Sequence, residues 1–227
     1  MSRPLRLVVF DVDGTLIDSQ DHILAAMAEA FAAEGEPVPP RPRILSVVGL
    51  SLPVAVARLA PHLPPDRQAR IEAAYRAGFA RLRAAPARET APLFPGARAA
   101  LEALGGCEGV LLGIATGKSR RGLDHVLAEH GMTGLFDTVQ VADDHPSKPH
   151  PSMLHAALAE TGVRAADAVM VGDTTFDIEM ARAAGLRGIA VGWGYHPAPA
   201  LLAAGAARVI DDFGSLAGIL ATLWEAA

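Results

Sequence analysis

The stretch Leu5-Arg6-Leu7-Val8-Val9-Phe10-Asp11-Val12-Asp13-Gly14-Thr15-Leu16 decides how the rest of the chain is read. Leu5 to Phe10 is a short apolar run rich in β-branched residues, the pattern of a strand buried on both faces. It stops at Asp11, and the segment through Asp18 is polar and turn-like. Asp18 or Ser19 offers an N-cap for the helix that follows, with the apolar stripe Ile23, Met27, Ala30 and Phe31. Gly35 and Pro37 stop that helix.

Beyond it, Pro37 to Arg43 is proline-rich and reads as irregular, while Val54 to Leu59 and Ala69 to Leu82 have helical spacing. Residues 19–89 therefore read as all-helical, and the prolines of Ala85 to Pro95 mark a return linker. After residue 89 the pattern changes. Strand runs at Val110 to Ala115, Asp137 to Val141, Ala168 to Val171, Gly188 to Val191 and Arg208 to Ile210 alternate with helical stretches. Those helices are expected at Ser119 to His130, Ser152 to Thr161, Phe176 to Ala184 and Ser215 to Trp224. Such alternation predicts an α/β fold with a doubly wound parallel sheet, and the helical block is an insertion placed after the first strand.

Composition narrows the function classes. The chain has 227 residues, 51% of them hydrophobic, which is ample for a sizeable core. A net charge of −5 argues against a nucleic-acid or membrane surface, because both favour a basic balance. No signal peptide and no apolar run long enough to span a bilayer is visible. The single cysteine, Cys107, excludes an intrachain disulfide and suits a reducing, cytoplasmic setting. Oligomeric state is not readable from the sequence. Of 20 basic residues only Lys118 and Lys148 are lysines, so these two positions are candidates for a compact ammonium that a crowded site requires.

In open α/β sheets the ligand site lies beyond the C-terminal ends of the strands. Four polar clusters follow strands here: Asp11-Val12-Asp13, Thr116-Gly117-Lys118, the stretch ending in Lys148, and Gly172 through Asp177. Asp11, Asp13, Asp173 and Asp177 gathered at one edge would repel unless a hard divalent cation such as Mg²⁺ joined them. Thr116 and the Gly117 amide, at a helix start, form an anion site. Lys148, between Pro146 and Pro149, can neutralise Asp11 and a transferring phosphoryl oxygen. A carboxylate can be the nucleophile, and a second can protonate the leaving oxygen and then activate water.

With these motifs in order, the chain resembles the haloacid dehalogenase superfamily, specifically phosphoglycolate-phosphatase-like members with a helical cap. The residues that carry the resemblance are Asp11 through Leu16, Ala115 through Lys118, Ser147 through Pro151 and Val171 through Asp177. The resemblance implies a Rossmann-like core over 1–18 and 90–227 and a cap over 19–89, with hinges at 18–20 and 87–92. It implies that Asp11 is the nucleophile and a metal ligand. Asp13 would be the general acid/base and bind metal through its backbone carbonyl. Thr116, Gly117 and Lys148 would hold the phosphoryl group, Asp173 would bind Mg²⁺, and Asp177 would support it. The implied activity is hydrolysis of a small phosphorylated metabolite, with phosphoglycolate first among substrates.

Alternatives stand beside this reading. Dehalogenases of the same fold need neither Mg²⁺ nor the second Asp of the first motif, so Asp13 favours phosphate chemistry. Phosphonoacetaldehyde-type hydrolysis needs a cap lysine, and residues 19–89 contain none. A sugar-phosphate mutase would use a His soon after the first motif; His22 is near, offset by one residue. A non-catalytic phosphate-binding or regulatory protein would be expected to have lost Asp11 or the acidic motif. Gly49-Leu50-Ser51 reads as a substrate-facing loop or as a plain turn, and Trp193-Gly194-Tyr195 as a segment packing beside the site. Arg120 and Arg121 read as cover for a helix's first turn, and Asp211-Asp212 as the cap of the final helix.

Overall fold

The computed structural model describes residues 4–84 and 90–225. Six strands form one sheet: β1 (Arg6–Phe10), β2 (Val110–Thr116), β3 (Thr138–Val141), β4 (Ala168–Gly172), β5 (Arg187–Val191) and β6 (Arg208–Ile210). Their order is β3-β2-β1-β4-β5-β6, and every neighbouring pair is parallel. The chain leaves β1 toward β2 and β3, then returns to β4 on the other side of β1. The crevice between the ends of β1 and β4 is thus the topological switch point of a doubly wound sheet.

Alternation along β1 explains the layering. Val8 and Phe10 face one layer, with Leu112, Ile114, Val169 and Val171. Leu7 and Val9 face the other, with Ala115, Met153, Met170 and Met180. Each such fully buried aliphatic or aromatic side chain contributes about 1.5–3 kcal/mol relative to exposure. The first layer is covered by α5 (Ala97–Gly105), α6 (Arg120–Glu129) and α10 (Leu216–Glu225). The second is covered by α7 (Ser152–Thr161) and α8 (Thr175–Ala183), and α9 (Ala198–Ala204) flanks the β5–β6 edge.

Between β1 and α5 lie α1 (Gln20–Ala33), α2 (Arg41–Leu45), α3 (Leu52–Leu59) and α4 (Pro65–Ala84). They share a core of their own, including Ile23, Met27, Phe31, Val56 and Ile71, joined from the sheet side by Phe176. Among the described residues no helix is long and apolar enough to cross a membrane.

Three local readings needed correction. The proline-rich stretch expected to be irregular opens α2, with Pro40 as N-cap and Pro42 in the first turn. Proline belongs there because first-turn amides have no intrahelical partner. The alternating pattern had also passed over α5 and α9, whose alanines dilute the apolar stripe. Of the expected return linker and hinge, residues 85–89 lie outside the described residues. Leu93, just after them, bridges to Ile17.

Candidate active site

The β1 ladder carries one bond past the strand: the Asp11 amide donates to the Val171 carbonyl at 2.9 Å. This fixes Asp11 beside the end of β4, one residue short of Asp173. The chain then turns sharply. The amides of Leu16 and Ile17 both donate to the Val12 carbonyl, and Gly14 adopts a φ of 83°. A side chain at Gly14 would be strained by that φ and would collide with the Asp173 carboxylate.

Asp11, Asp173 and Asp177 are all buried, and one carboxylate oxygen from each lies within 4.8 Å of the others. Their roles differ by their partners. Asp173 accepts from the Thr15 hydroxyl and from the Tyr195 amide, both at 2.9 Å. Asp177 accepts from the Thr174 amide and hydroxyl in a capping box that starts α8. Lys148 Nζ spans the gap, 3.0 Å from Asp11 Oδ1 and 2.6 Å from Asp177 Oδ1. Both Asp11 oxygens are buried, and among the described residues neither takes a well-aligned hydrogen bond.

Burial is the largest influence on Asp11 and pushes it up to about 7, with Lys148 opposing and Asp177 and Asp13 adding to the rise. Burial raises Asp173 as well, reinforced by Asp177 and Asp11. Burial alone would lower Lys148, but Asp11 and Asp177 together hold it above its ordinary range. Three buried carboxylates against one ammonium leave an excess of negative charge, and the donor set is all oxygen. These residues fit a hard divalent cation.

The Asp13 side chain belongs to a separate arrangement. Its carboxylate takes both oxygens' bonds from Lys118 Nζ, at 2.6 and 2.7 Å, and accepts from the Ser19 hydroxyl at 2.5 Å. Ser19 occupies the N-cap position of α1, yet its side chain makes no cap bond because it serves Asp13. Tyr195 Oη lies 3.4 Å from Ser19 Oγ, and burial, then the nearby Asp13, holds the phenol far above its usual range.

At the end of β2, Thr116 is buried and its hydroxyl accepts from the Lys118 amide at 3.2 Å. Gly117 faces the segment between α2 and α3: a Cβ there would lie 2.6 Å from the carbonyl oxygens of both Gly49 and Leu50. The Ser51 amide donates to Ser147 Oγ at 2.9 Å, tying the same loop to the Lys148 segment. A cavity of about 360 Å³ opens here, reached by Asp11, Asp13, Thr116, Gly117 and Lys118.

The structure thus brings together Asp11, Lys148, Asp173 and Asp177 in one buried cluster, and places Asp13, Thr116 and Gly117 along the adjoining cavity. Lys118 is central to the Asp13 side. The loop Gly49-Leu50-Ser51 lines or borders the cavity and is not a plain turn. Trp193-Gly194-Tyr195 does more than pack nearby: Trp193 Nε1 donates to the Thr15 carbonyl, and Tyr195 holds Asp173. Arg121 lines the cavity, whereas Arg120 donates to the Val139 carbonyl on the outside. His22 stands edge-on to Phe79, ring centroids 6.4 Å apart. Asp212 caps the short turn before α10, accepting from the Ser215 amide.

The sequence matches the family described as haloacid dehalogenase-like hydrolase over residues 8–191. It is 37% identical over 215 residues to the probable phosphatase IndB of Dickeya dadantii, covering 93% of this chain and 92% of that protein. It is 36% identical over 197 residues to a phosphoglycolate phosphatase of Cereibacter sphaeroides, covering 85% of this chain and 87% of that one. Among solved structures, a hydrolase from Pseudomonas syringae superposes with a TM-score of 0.84 at 26% identity, covering 96% of this chain and 98% of its own. The chain therefore belongs to the haloacid dehalogenase-like hydrolases.

Proposed function

We propose that this chain is a Mg²⁺-dependent phosphomonoesterase that works through an aspartyl-phosphate on Asp11. The observation that carries the reading is Asp11 itself: a buried carboxylate that takes no well-aligned hydrogen bond among the described residues, 3.0 Å from the Lys148 ammonium and facing a cavity. Asp173 and Asp177 are each fixed by backbone amides and hydroxyls, so Asp11 is the least committed carboxylate of the three.

In this reading Asp11, Asp173 and the Asp13 backbone carbonyl hold the Mg²⁺, with Asp177 supporting through Lys148. The ion supplies charge neutralisation that lets a phosphate dianion approach a carboxylate. Thr116 and the Gly117 amide hold the phosphoryl oxygens, and Lys148 offsets the charge that builds on them. An Asp11 oxygen bonds to phosphorus as the ester P–O bond breaks, and the leaving oxygen takes a proton from Asp13. Asp13 then takes a proton from water, whose oxygen attacks phosphorus and breaks the bond to Asp11. Lys118 and Ser19 fix the Asp13 carboxylate for that second step. Helices α1–α4 act as the cap that excludes bulk water, and crosslinking that cap to the core is expected to slow turnover even of a small substrate.

The substrate is a small phosphorylated metabolite, with phosphoglycolate, named in several relatives, as the reference compound. The test is a panel of phosphomonoesters with Mg²⁺, ranked by kcat/KM, for wild type and Asp11→Asn. Phosphate release by wild type and none by Asp11→Asn is expected, with a trapped phosphoryl group on wild type alone. Turnover by Asp11→Asn near the wild-type rate would end the covalent reading.

A further inference from the structure

We infer that the leaving group this site is built for is an apolar alcohol of about ring size, aromatic or branched, and not a short hydroxy acid or a sugar. The inference rests on the phosphomonoesterase reading above and adds the chemistry of the organic half.

The cavity that Asp11 faces measures about 360 Å³. A cavity of about 150 Å³ already accommodates benzene, so there is room for a phosphoryl group and a ring together. Asp11, Asp13, Thr116 and Lys118 meet at one end, and the exposed Arg76, Arg121 and Asp143 stand at the mouth. The remaining wall comes from α1, the turn after α2, and α4: Ile23 and Met27, Val47 and Val48, Tyr75 and Phe79. Tyr75 and Phe79 both line the cavity, their rings tilted 36° to one another with centroids 5.7 Å apart.

Among the described lining residues, no buried cation is left uncommitted for a short anionic leaving group. Lys118 is engaged by both oxygens of Asp13. Arg76 and Arg121 line the cavity with exposed side chains, which places them at its solvated rim, where one exposed acid, Asp143, offsets half their charge. A carboxylate two carbons from phosphorus would leave most of the volume unfilled and set its charge against hydrocarbon. Sugar hydroxyls would meet the same wall and lose their water without gaining partners. A ring would displace water from hydrocarbon and stack on Phe79 and Tyr75.

The experiment uses three primary-alcohol monophosphates with wild-type protein and Mg²⁺: ethyl phosphate, 2-phenylethyl phosphate and phosphoglycolate. A single methylene in a hydrophobic pocket is worth about 10- to 200-fold in kcat/KM, and a ring is larger, so 2-phenylethyl phosphate is expected to exceed ethyl phosphate by at least about 100-fold. It should exceed phosphoglycolate as well. In Val48→Asn and Phe79→Ala the ratio of 2-phenylethyl to ethyl phosphate should fall about tenfold; because it is a ratio, loss of folded protein cancels. Phosphoglycolate hydrolysed as well as or better than 2-phenylethyl phosphate overturns this inference and leaves the phosphatase reading intact. A ratio unchanged in both variants also overturns it, since the ring would then bind elsewhere. No phosphate from any of the three overturns both.

Discussion

Replacing Gly117 by Ala tests whether the loop between α2 and α3 must close on the phosphoryl site. The new methyl would stand 2.6 Å from two backbone carbonyl oxygens, those of Gly49 and Leu50, where ordinary contact begins at 3.4 Å. Carbonyls cannot rotate aside as side chains can, so the loop must withdraw by about 0.8 Å. That movement would stretch the Ser51–Ser147 bond from 2.9 Å to about 3.7 Å, beyond hydrogen-bonding range. Overpacking costs about 1–3 kcal/mol and the lost bond about 1 kcal/mol. Charged wholly to the closed state, this lowers kcat/KM by about 30- to 1,000-fold. The melting temperature should change little, because withdrawal of the loop relieves the strain without unfolding either core. Steady-state kinetics on a small phosphomonoester, beside a thermal melt, is the assay. Wild-type kcat/KM in a normally folded Gly117→Ala would show that contact between this loop and Gly117 has no part in turnover.

Lys118→Met should reduce kcat/KM by about 100-fold through loss of Asp13 orientation, and Lys118→Arg should not restore it, since a guanidinium fork is larger and planar; both are read by steady-state kinetics. Metal-free protein should lose stability as pH rises from about 4 to about 7. Folded Asp11 holds its proton up to about 7 against 3.8 for an ordinary Asp, so its contribution is full below 3.8 and gone above 7, on the order of a few kcal/mol. Urea unfolding with chelator at several pH values should show this slope in wild type and a flatter one in Asp11→Asn, with Mg²⁺ restoring stability most at the alkaline end. Gly218→Ala, in α10 with nothing within 4 Å of the new methyl, should raise stability by about 0.5–1 kcal/mol, measurable by denaturant titration.

The sheet was legible because buried parallel strands write continuous apolar runs bounded by polar turns. Ser152–Thr161 and Arg208–Ile210 match their expected limits, and other boundaries moved by one or two residues, except the start of α4, which lies four residues before the expected Ala69. What was hidden lay where composition blurs periodicity. In α5 only Ala97, Leu101 and Leu104 are buried, and alanine on both faces hides so thin a stripe. The proline-rich start of α2 hid for the opposite reason: two prolines discourage a helix interior but suit a helix's first turn.

The site was legible as far as its motifs reach. The scarcity of lysine pointed to both ammonium groups, and the geometry gives that scarcity a cause. Lys148 is fully enclosed between Asp11 and Asp177, at 3.0 and 2.6 Å, where a planar guanidinium would not fit without displacing one carboxylate. Lys118 ends 5.5 Å from the Phe79 ring centre while both its short bonds go to Asp13. That second lysine therefore touches the acid/base candidate and the apolar wall at once, so α4 reports to Asp13 through Lys118 while α1 does so through Ser19 at its start. Tyr195 gives the opposite face of the same coupling: its amide holds Asp173 while its hydroxyl lies near Ser19, which holds Asp13. No local pattern could reveal this, because Tyr195 and Ser19 are 176 residues apart in sequence. A ligand that moves α1 or α4 must then disturb the same bonds that hold Asp13, which makes the organic half of the substrate a participant in setting up the chemistry and not only a passenger in the cavity.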